Sequence, residues 1–242
     1  MSLSNTKIIF LLIVTFIPLV ILFGFVSPIA QNQAYHNFAD GHKLLGIINF
    51  HNVISNIPFV IVAFIGLKQY ITHKQRYSFS WLVFVIGVFL VGPGSAYYHL
   101  NPTDQTLVWD RLPMTIGFMG LTSFIFTEVF SIKKEKTFLT ILLLIGFYSI
   151  FHWVQFSDLR LYFWVQLTPI LCILYIAVIM PTKSLKPKHL AFAVVFYIVA
   201  KLTEHFDKQI FTNLAYSGHS IKHLAAAISV YALIIMKNFK NV

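Results

Sequence analysis

Long apolar runs joined by short polar connections make up most of this chain. A helix needs about 20 apolar residues to cross a bilayer, and eight runs of roughly that length lie at residues 8–27, 45–67, 80–99, 112–130, 137–155, 161–180, 189–206 and 219–236. None alternates apolar and polar residues with the period of two that membrane barrels show. Since only helices and closed barrels satisfy their backbone groups in lipid, the pattern predicts an all-α integral membrane bundle with eight spans.

The basic residues of the connections fall mainly on one side of the predicted membrane. Twelve of the 18 belong to this set: Lys7, Lys68, Lys74, Arg76, Lys133, Lys134, Lys136, Lys183, Lys186, Lys188, Lys237 and Lys240. Because cytoplasmic loops are enriched in lysine and arginine, this side is predicted to be the cytoplasm, with both termini on it.

The first segment has two interpretations. Lys7 and the stretch Ser27-Pro28-Ile29-Ala30 resemble the charged start and the cleavage region of a signal peptide. The apolar run between them, about 18 residues long, exceeds the usual 7–15 residues of a signal peptide, which favours a retained helix. The other segments keep the same orientation in both cases.

Composition agrees with a membrane location and argues against a soluble domain and against a nucleic-acid-binding protein. The chain is 57% hydrophobic and only 11% charged, whereas soluble domains carry about a quarter charged residues. The formal charge of +10 is divided among short interhelical clusters, so it reflects membrane orientation and argues against nucleic-acid binding. The single cysteine, Cys172, lies in an apolar run; it excludes an intramolecular disulfide and is interpreted as a small buried hydrophobe.

Three polar stretches, distant along the chain, are predicted to meet at the outer membrane face. With the topology above, segment 3 ends there at His99, segment 4 begins there at Asp110, and segment 8 begins there at His219. Ionisable groups inside membrane bundles are costly and usually functional. These stretches are therefore the candidate site.

The spacing of the histidines suggests a metal centre. His219 and His223 share a helix face at i, i+4, and with His99 they would supply the three imidazoles of an open tetrahedral zinc site whose fourth position holds water. Asp110 would act as a base for that water, and Ser95, one turn from His99, could donate to an oxyanion or to Asp110. From spacing alone, structural hydrogen bonding and proton transfer stay open as alternatives.

Four motifs together resemble one family. They are Asn52-Val53-Ile54-Ser55-Asn56, Gly94-Ser95-Ala96-Tyr97-Tyr98-His99, Trp109-Asp110-Arg111-Leu112-Pro113-Met114 and Gly218-His219-Ser220-Ile221-Lys222-His223-Leu224. In this order they resemble the alkaline ceramidases, which belong to a superfamily of seven-helix membrane hydrolases that includes the progestin and adiponectin receptors. The resemblance implies a seven-helix domain at residues 31–242, preceded by an additional transmembrane helix or signal anchor at residues 1–30.

The same resemblance implies the chemistry. The chain is expected to be a zinc-dependent amidase that splits a ceramide-like lipid of the bilayer into a fatty acid and a sphingoid base. His99, His219 and His223 would hold Zn²⁺, Asp110 would act as acid and base, and Ser95 would support the transition state. The short chain, the tight loops and the lack of a strong calcium site, described next, favour a bacterial inner membrane.

One departure from the family concerns calcium. Eukaryotic alkaline ceramidases carry a glutamate three residues before the asparagine that resembles Asn52, and here that position is Asn49. The preceding loop offers only Asp40 as a carboxylate, and calcium prefers several anionic oxygens, so calcium is not predicted. His36 and His42 in this loop are interpreted as solvated.

Two other functions fit part of the pattern. A receptor-like, zinc-containing lipid-binding protein would keep the metal but lack turnover. A proton-coupled transporter would use His99, Asp110 and Glu204 as a relay without needing metal.

The remaining polar residues receive structural interpretations. Asn49, Asn52 and Asn56 are predicted to form one stripe of interhelical hydrogen bonds along segment 2. Lys201 and Glu204 are expected to pair at i, i+3. Lys222 is expected to turn away from the histidines and extend to the membrane interface.

Overall fold

The computed structural model describes residues 5–179 and 182–237, with side chains from residue 9 onward. The side chain of Lys7 and the whole of Lys240, both used in the charge pattern, lie outside these residues. Within them the chain forms helices and turns and no strand, so the prediction of an all-α membrane bundle is confirmed.

Each of the eight predicted segments contains a helix. The helices are α1 (Asn5–Phe25), α2 (Phe50–Ile54), α3 (Ile57–Thr72), α4 (Phe79–Leu100), α5 (Asp104–Phe130), α6 (Glu135–Phe156), α7 (Arg160–Val178), α8 (Pro187–His205), α9 (Asp207–Leu214) and α10 (Gly218–Ile234). Short 3₁₀ turns lie at Gln33–His36 and Lys74–Arg76.

Several helices are long and apolar enough to cross a membrane. Within the described ranges, five spans meet this criterion, namely α2 with α3, then α4, α5, α6 and α7, and α8 with α9 adds a sixth if that pair, bent by 80°, is one span. The apolar part of α1, Ile9–Phe25, and the 17 residues of α10 are shorter. These helices identify an integral membrane protein.

Segment 2 differs from the single helix predicted at 45–67. Leu45, Gly46 and Asn49 have positive φ angles, which a right-handed helix excludes, so the helix begins only at Phe50. It is interrupted after Ile54 and restarts as α3 at Ile57. The predicted boundary and the predicted continuity of this segment are therefore wrong.

Segment 4 also begins earlier than the predicted residue 112. Thr103 is an N-cap whose hydroxyl accepts from the Thr106 backbone N–H at 3.2 Å, while the Thr106 hydroxyl accepts from the Thr103 backbone N–H at 3.1 Å. This reciprocal cap starts α5 at Asp104. Asp110 consequently lies inside α5, whereas the sequence analysis placed it at the beginning of the segment.

The helices α3, α4, α5, α7, α8 and α10 form a closed ring. Contacts join α3 to α4, α4 to α5, α5 to α7, α7 to α8, α8 to α10 and α10 to α3, whereas α6 packs outside on α5 and α7. The α4–α5 contact is close because glycines face the neighbouring backbone, as Gly87 faces Gly117. The ring encloses a cavity lined mainly by apolar side chains, among them Phe84, Leu121, Ile173, Val194 and Leu233.

The N-terminal helix is attached to the outside of α7. The Trp164 indole donates to the Thr15 carbonyl at 2.8 Å. After the end of α1, the Arg160 guanidinium donates to the Val26 carbonyl at 2.7 Å, and the Leu159 N–H donates to the Ile29 carbonyl at 2.8 Å. The chain then crosses the end of the ring as the loop 26–49, named here the cover loop.

Candidate functional site

Three histidines converge at the end of the ring beneath the cover loop. His99 lies in the last turn of α4, and His219 and His223 lie in the first turns of α10. All three are buried, with one candidate ligand atom from each lying within 4.8 Å of the other two. Their ring centroids are 4.9 to 5.0 Å apart.

The nitrogens of this cluster fit a metal ion. His99 is fully buried, and neither its Nδ1 nor its Nε2 has a hydrogen-bond partner within the part of the chain that the structure describes. A buried polar atom without a partner is costly and calls for an explanation. A cation bound by the three imidazoles would supply a partner for one of these two nitrogens.

Asp110 and Ser95 lie on facing helices beside this cluster. Asp110 is 6% exposed on α5, and Ser95 is 2% exposed on α4. Both residues line the central cavity together with His223 and Lys222, so the polar end of an apolar cavity contains a hydroxyl, a carboxylate and an imidazole.

The short helix α2 and its flanking residues support the histidines. The Asn49 amide donates to the His99 carbonyl at 2.9 Å, and the Ser220 hydroxyl donates to the Asn52 side-chain oxygen at 2.7 Å. Asn56 instead donates to the carbonyl of Asn52, within its own segment, at 2.8 Å. Among the residues that the structure describes, the expected interhelical bonds thus exist for Asn49 and Asn52 but not for Asn56, and the break in segment 2 prevents a single continuous stripe.

Comparison with known proteins identifies the family. A family model described as Ceramidase matches residues 45–242. The chain belongs to the Ceramidase family. No curated protein matches the sequence. Family membership implies a hydrolase that acts on an amide bond, and the matched region of this ceramidase-family protein includes Ser95, Asp110 and the histidine cluster.

In this ceramidase-family protein the predicted position of Lys222 is wrong. Its ammonium group lies 2.6 Å from Glu204 Oε1, with both side chains 15% exposed, instead of extending to the membrane interface. It also lies 3.4 Å from His219 Nε2. Glu204 further accepts from Lys201 at 3.0 Å, as expected, and from the Tyr35 hydroxyl at 3.0 Å. Glu204 on the neighbouring helix α8 therefore attracts the lysine inward.

The cover loop closes the site from its polar end. The ring centroid of Phe38 lies 4.7 Å from the ring centroid of His99 and 4.5 Å from that of His219. Asp207, at the start of α9, accepts from the backbone N–H groups of Ala39 and His219, both at 2.9 Å. This carboxylate fixes the loop and the first turn of α10 to each other.

The histidines of the cover loop have partners that the sequence did not indicate. The His36 side chain is 10% exposed and contacts the Tyr98 hydroxyl at 2.8 Å and Asp104 at 3.0 Å. Its interpretation as a solvated residue is wrong, because the loop folds back on the bundle. His42 is exposed, as expected, but its Nδ1 lies 2.7 Å from Asp40.

Asp40 is a buried carboxylate held by two imidazoles. Besides His42, it contacts His51 Nδ1 at 2.9 Å, and it accepts from the His42 backbone N–H at 3.0 Å. Burial alone would raise the pKa of Asp40, but the hydrogen bonds from His42 and His51 outweigh burial and lower it below its ordinary value. The partner His51 carried no recognisable sequence signal.

Proposed function

We propose that this chain is a zinc-dependent intramembrane amidase that hydrolyses ceramide-like N-acyl lipids to a fatty acid and a sphingoid base. The observation that carries the proposal is the convergence of His99, His219 and His223, with the nitrogens of His99 unpartnered among the described residues. Membership of the Ceramidase family supports the choice of substrate class.

Zinc fits the donor set best. Three neutral imidazoles are a common protein contribution to a catalytic zinc site, which keeps its fourth position open. When bound, the ion supplies Lewis acidity, which polarises a carbonyl group and makes water more acidic. His99 comes from α4 and the other two ligands from α10, so the ion would also join the two helices of the ring that flank α3.

Asp110 would transfer protons, and Ser95 would stabilise the negative charge that develops during the reaction. Asp110 would accept a proton from the attacking water and deliver it to the amide nitrogen as the carbon–nitrogen bond breaks. Ser95 would donate a hydrogen bond to the carbonyl oxygen while that oxygen gains negative charge. The products are then a carboxylic acid and a free amine, which balances the hydrolysis.

The cavity suits a lipid with a long chain. Its apolar walls extend away from the polar end formed by Ser95, Asp110, Lys222 and His223. An acyl chain would occupy the apolar part and leave the amide beside the histidines. With both termini in the cytoplasm, as the basic loops predict, the site would lie near the outer membrane face and receive its substrate laterally from the bilayer.

The test combines turnover with metal analysis of purified protein in detergent. We expect fatty-acid release from a fluorescent ceramide and about one zinc per chain. Asp110→Asn should keep the metal and lose at least about a hundredfold in rate, as removal of a general base does, while His219→Ala should lose both. His205→Ala, an exposed histidine at the end of α8, is the control.

The outcomes separate the proposal from its alternatives. Full activity in Asp110→Asn or His219→Ala would contradict the mechanism. A zinc-loaded wild-type protein that binds ceramide without turnover would instead be a receptor-like lipid-binding protein. Proton-dependent accumulation of substrate, without any need for metal, would indicate the transporter.

A further inference from the structure

Ser55 lies at the break between α2 and α3 and faces a histidine of the cluster. It is 4% exposed. Its hydroxyl oxygen lies 2.8 Å from His223 Nδ1 and 3.1 Å from the backbone carbonyl oxygen of Asn52. Neither the family match nor the proposed mechanism gives this serine a role.

Only one arrangement makes both contacts hydrogen bonds. A backbone carbonyl can only accept, so in that arrangement the single hydroxyl proton of Ser55 is donated to Asn52. The serine oxygen must then accept from the Nδ1–H of His223.

A neutral imidazole carries one N–H group. With the proton on Nδ1, the lone pair of His223 is on Nε2. We propose that Ser55 is a positioning residue that fixes this tautomer, so that His223 presents Nε2 to the metal. The inference rests on the proposed metal site and adds a residue that acts on it through His223.

The carbonyl that orients Ser55 is itself held in place. Asn52 is fully buried, its side-chain oxygen accepts from Ser220 on α10 at 2.7 Å, and its carbonyl also accepts from Asn56 at 2.8 Å. The chain of contacts from Ser220 through Asn52 and Ser55 to His223 therefore begins and ends on α10. Groups that orient a metal-binding histidine through its other nitrogen typically change metal affinity by about 10- to 100-fold when removed.

The first test reads the tautomer directly in metal-free protein. Nitrogen-15 NMR of histidine-labelled protein, with the His223 signals assigned by their loss in His223→Gln, distinguishes a protonated Nδ1 from a protonated Nε2. We expect the Nδ1–H form in the wild type and a mixture of both forms in Ser55→Ala. A wild-type protein with the proton on Nε2 would overturn the proposal, and this result needs no variant of Ser55 to fold.

The second test measures zinc affinity by competition with a coloured chelator. Ser55→Ala should bind zinc about 10- to 100-fold more weakly, and Ser55→Thr, which keeps the hydroxyl, should restore the affinity. Ser149→Ala is the matched control, because Ser149 is fully buried and donates to the carbonyl three residues earlier, Gly146, at 2.6 Å, but within the described chain its hydroxyl forms no hydrogen bond with an imidazole.

The results distinguish this inference from the proposed function. Equal zinc affinities for Ser55→Ala and Ser149→Ala would overturn the role of Ser55, as would a wild-type protein that binds no zinc. Normal zinc binding with the expected tautomer, but without hydrolysis of any ceramide, would refute the amidase and leave the role of Ser55 intact.

Discussion

The carboxylate of Glu204 pairs with two lysines of very different exposure. Lys222 is 15% exposed and Lys201 is 46% exposed, while Glu204 itself is 15% exposed. A buried charge that loses its partner is strongly destabilising, whereas an exposed pair contributes little. The two lysines thus allow the same carboxylate to be tested in two environments.

Glu204→Gln should destabilise the protein by about 3–5 kcal/mol, because it leaves the ammonium of Lys222 buried without a counter-charge. Lys201→Met should cost no more than about 1 kcal/mol, since it removes the exposed pair only. Denaturant titration of both variants in the same detergent gives the two free energies. Equal losses would show that burial does not govern this network.

Spacing along the sequence identified the histidine cluster but not Lys222 or Phe38. An i, i+4 pair fixes which residues share a helix face, so the grouping of His219 with His223 follows from their spacing alone. The direction taken by Lys222 depends on Glu204 of another helix, and the position of Phe38 depends on the path of a loop. Neither contact leaves a periodic signal in the sequence.

At the scale of elements, the α4–α5 contact connects helix packing to the site. A methyl group at Gly94 would overlap the backbone oxygen of Trp109. These two residues directly precede Ser95 and Asp110. The separation of the two helices at this point therefore sets how closely the hydroxyl and the carboxylate approach.

Gly94→Ala should push α4 away from α5 and reduce ceramide hydrolysis by at least about tenfold, since misplacing reacting groups by an ångström can cost up to about a hundredfold. Zinc content should stay unchanged because the variant touches no ligand. Gly117→Ala on α5 is the control: its added Cβ would meet its nearest neighbours at 4.0 Å, an ordinary contact. Similar activities for both variants would contradict this dependence on helix spacing.

The existence of the helices was predictable, whereas their ends were not. Each apolar run predicted a segment that contains a helix, but the first two turns of α5 are too polar to extend such a run, and only the cap at Thr103 marks the start of that helix. The helix α9 was missed because it is short and none of its residues is buried. The start of α5 and the formation of α9 depend on capping and on tertiary contacts, which the pattern of apolar residues does not show.

For the whole molecule, the orientation in the membrane stays a prediction that one labelling experiment can test. The single native cysteine, Cys172, is fully buried, so introduced cysteines can be labelled against a low background. Asn213 on α9 and Lys74 in the 3₁₀ turn after α3 are both exposed. The first belongs to the site end and the second to the opposite end.

We expect a membrane-impermeant maleimide to label Asn213→Cys in intact cells, and Lys74→Cys only after permeabilisation, because the basic loops should face the cytoplasm. The opposite labelling would reverse the orientation without affecting the proposed chemistry. The division into residues 1–30 and 31–242, and the bacterial inner membrane, likewise stay predictions. The family match begins at residue 45, while α1 is hydrogen-bonded to α7 through Trp164.

The contact of the Phe38 ring with both His99 and His219 has a kinetic consequence. A water-soluble chelator approaching from the polar end would meet an aromatic ring before any bound ion, so extraction would have to wait for the cover loop to lift. The rate of metal loss would then level off as chelator is added, at the opening rate of the loop, and would rise when Phe38 is shortened to alanine.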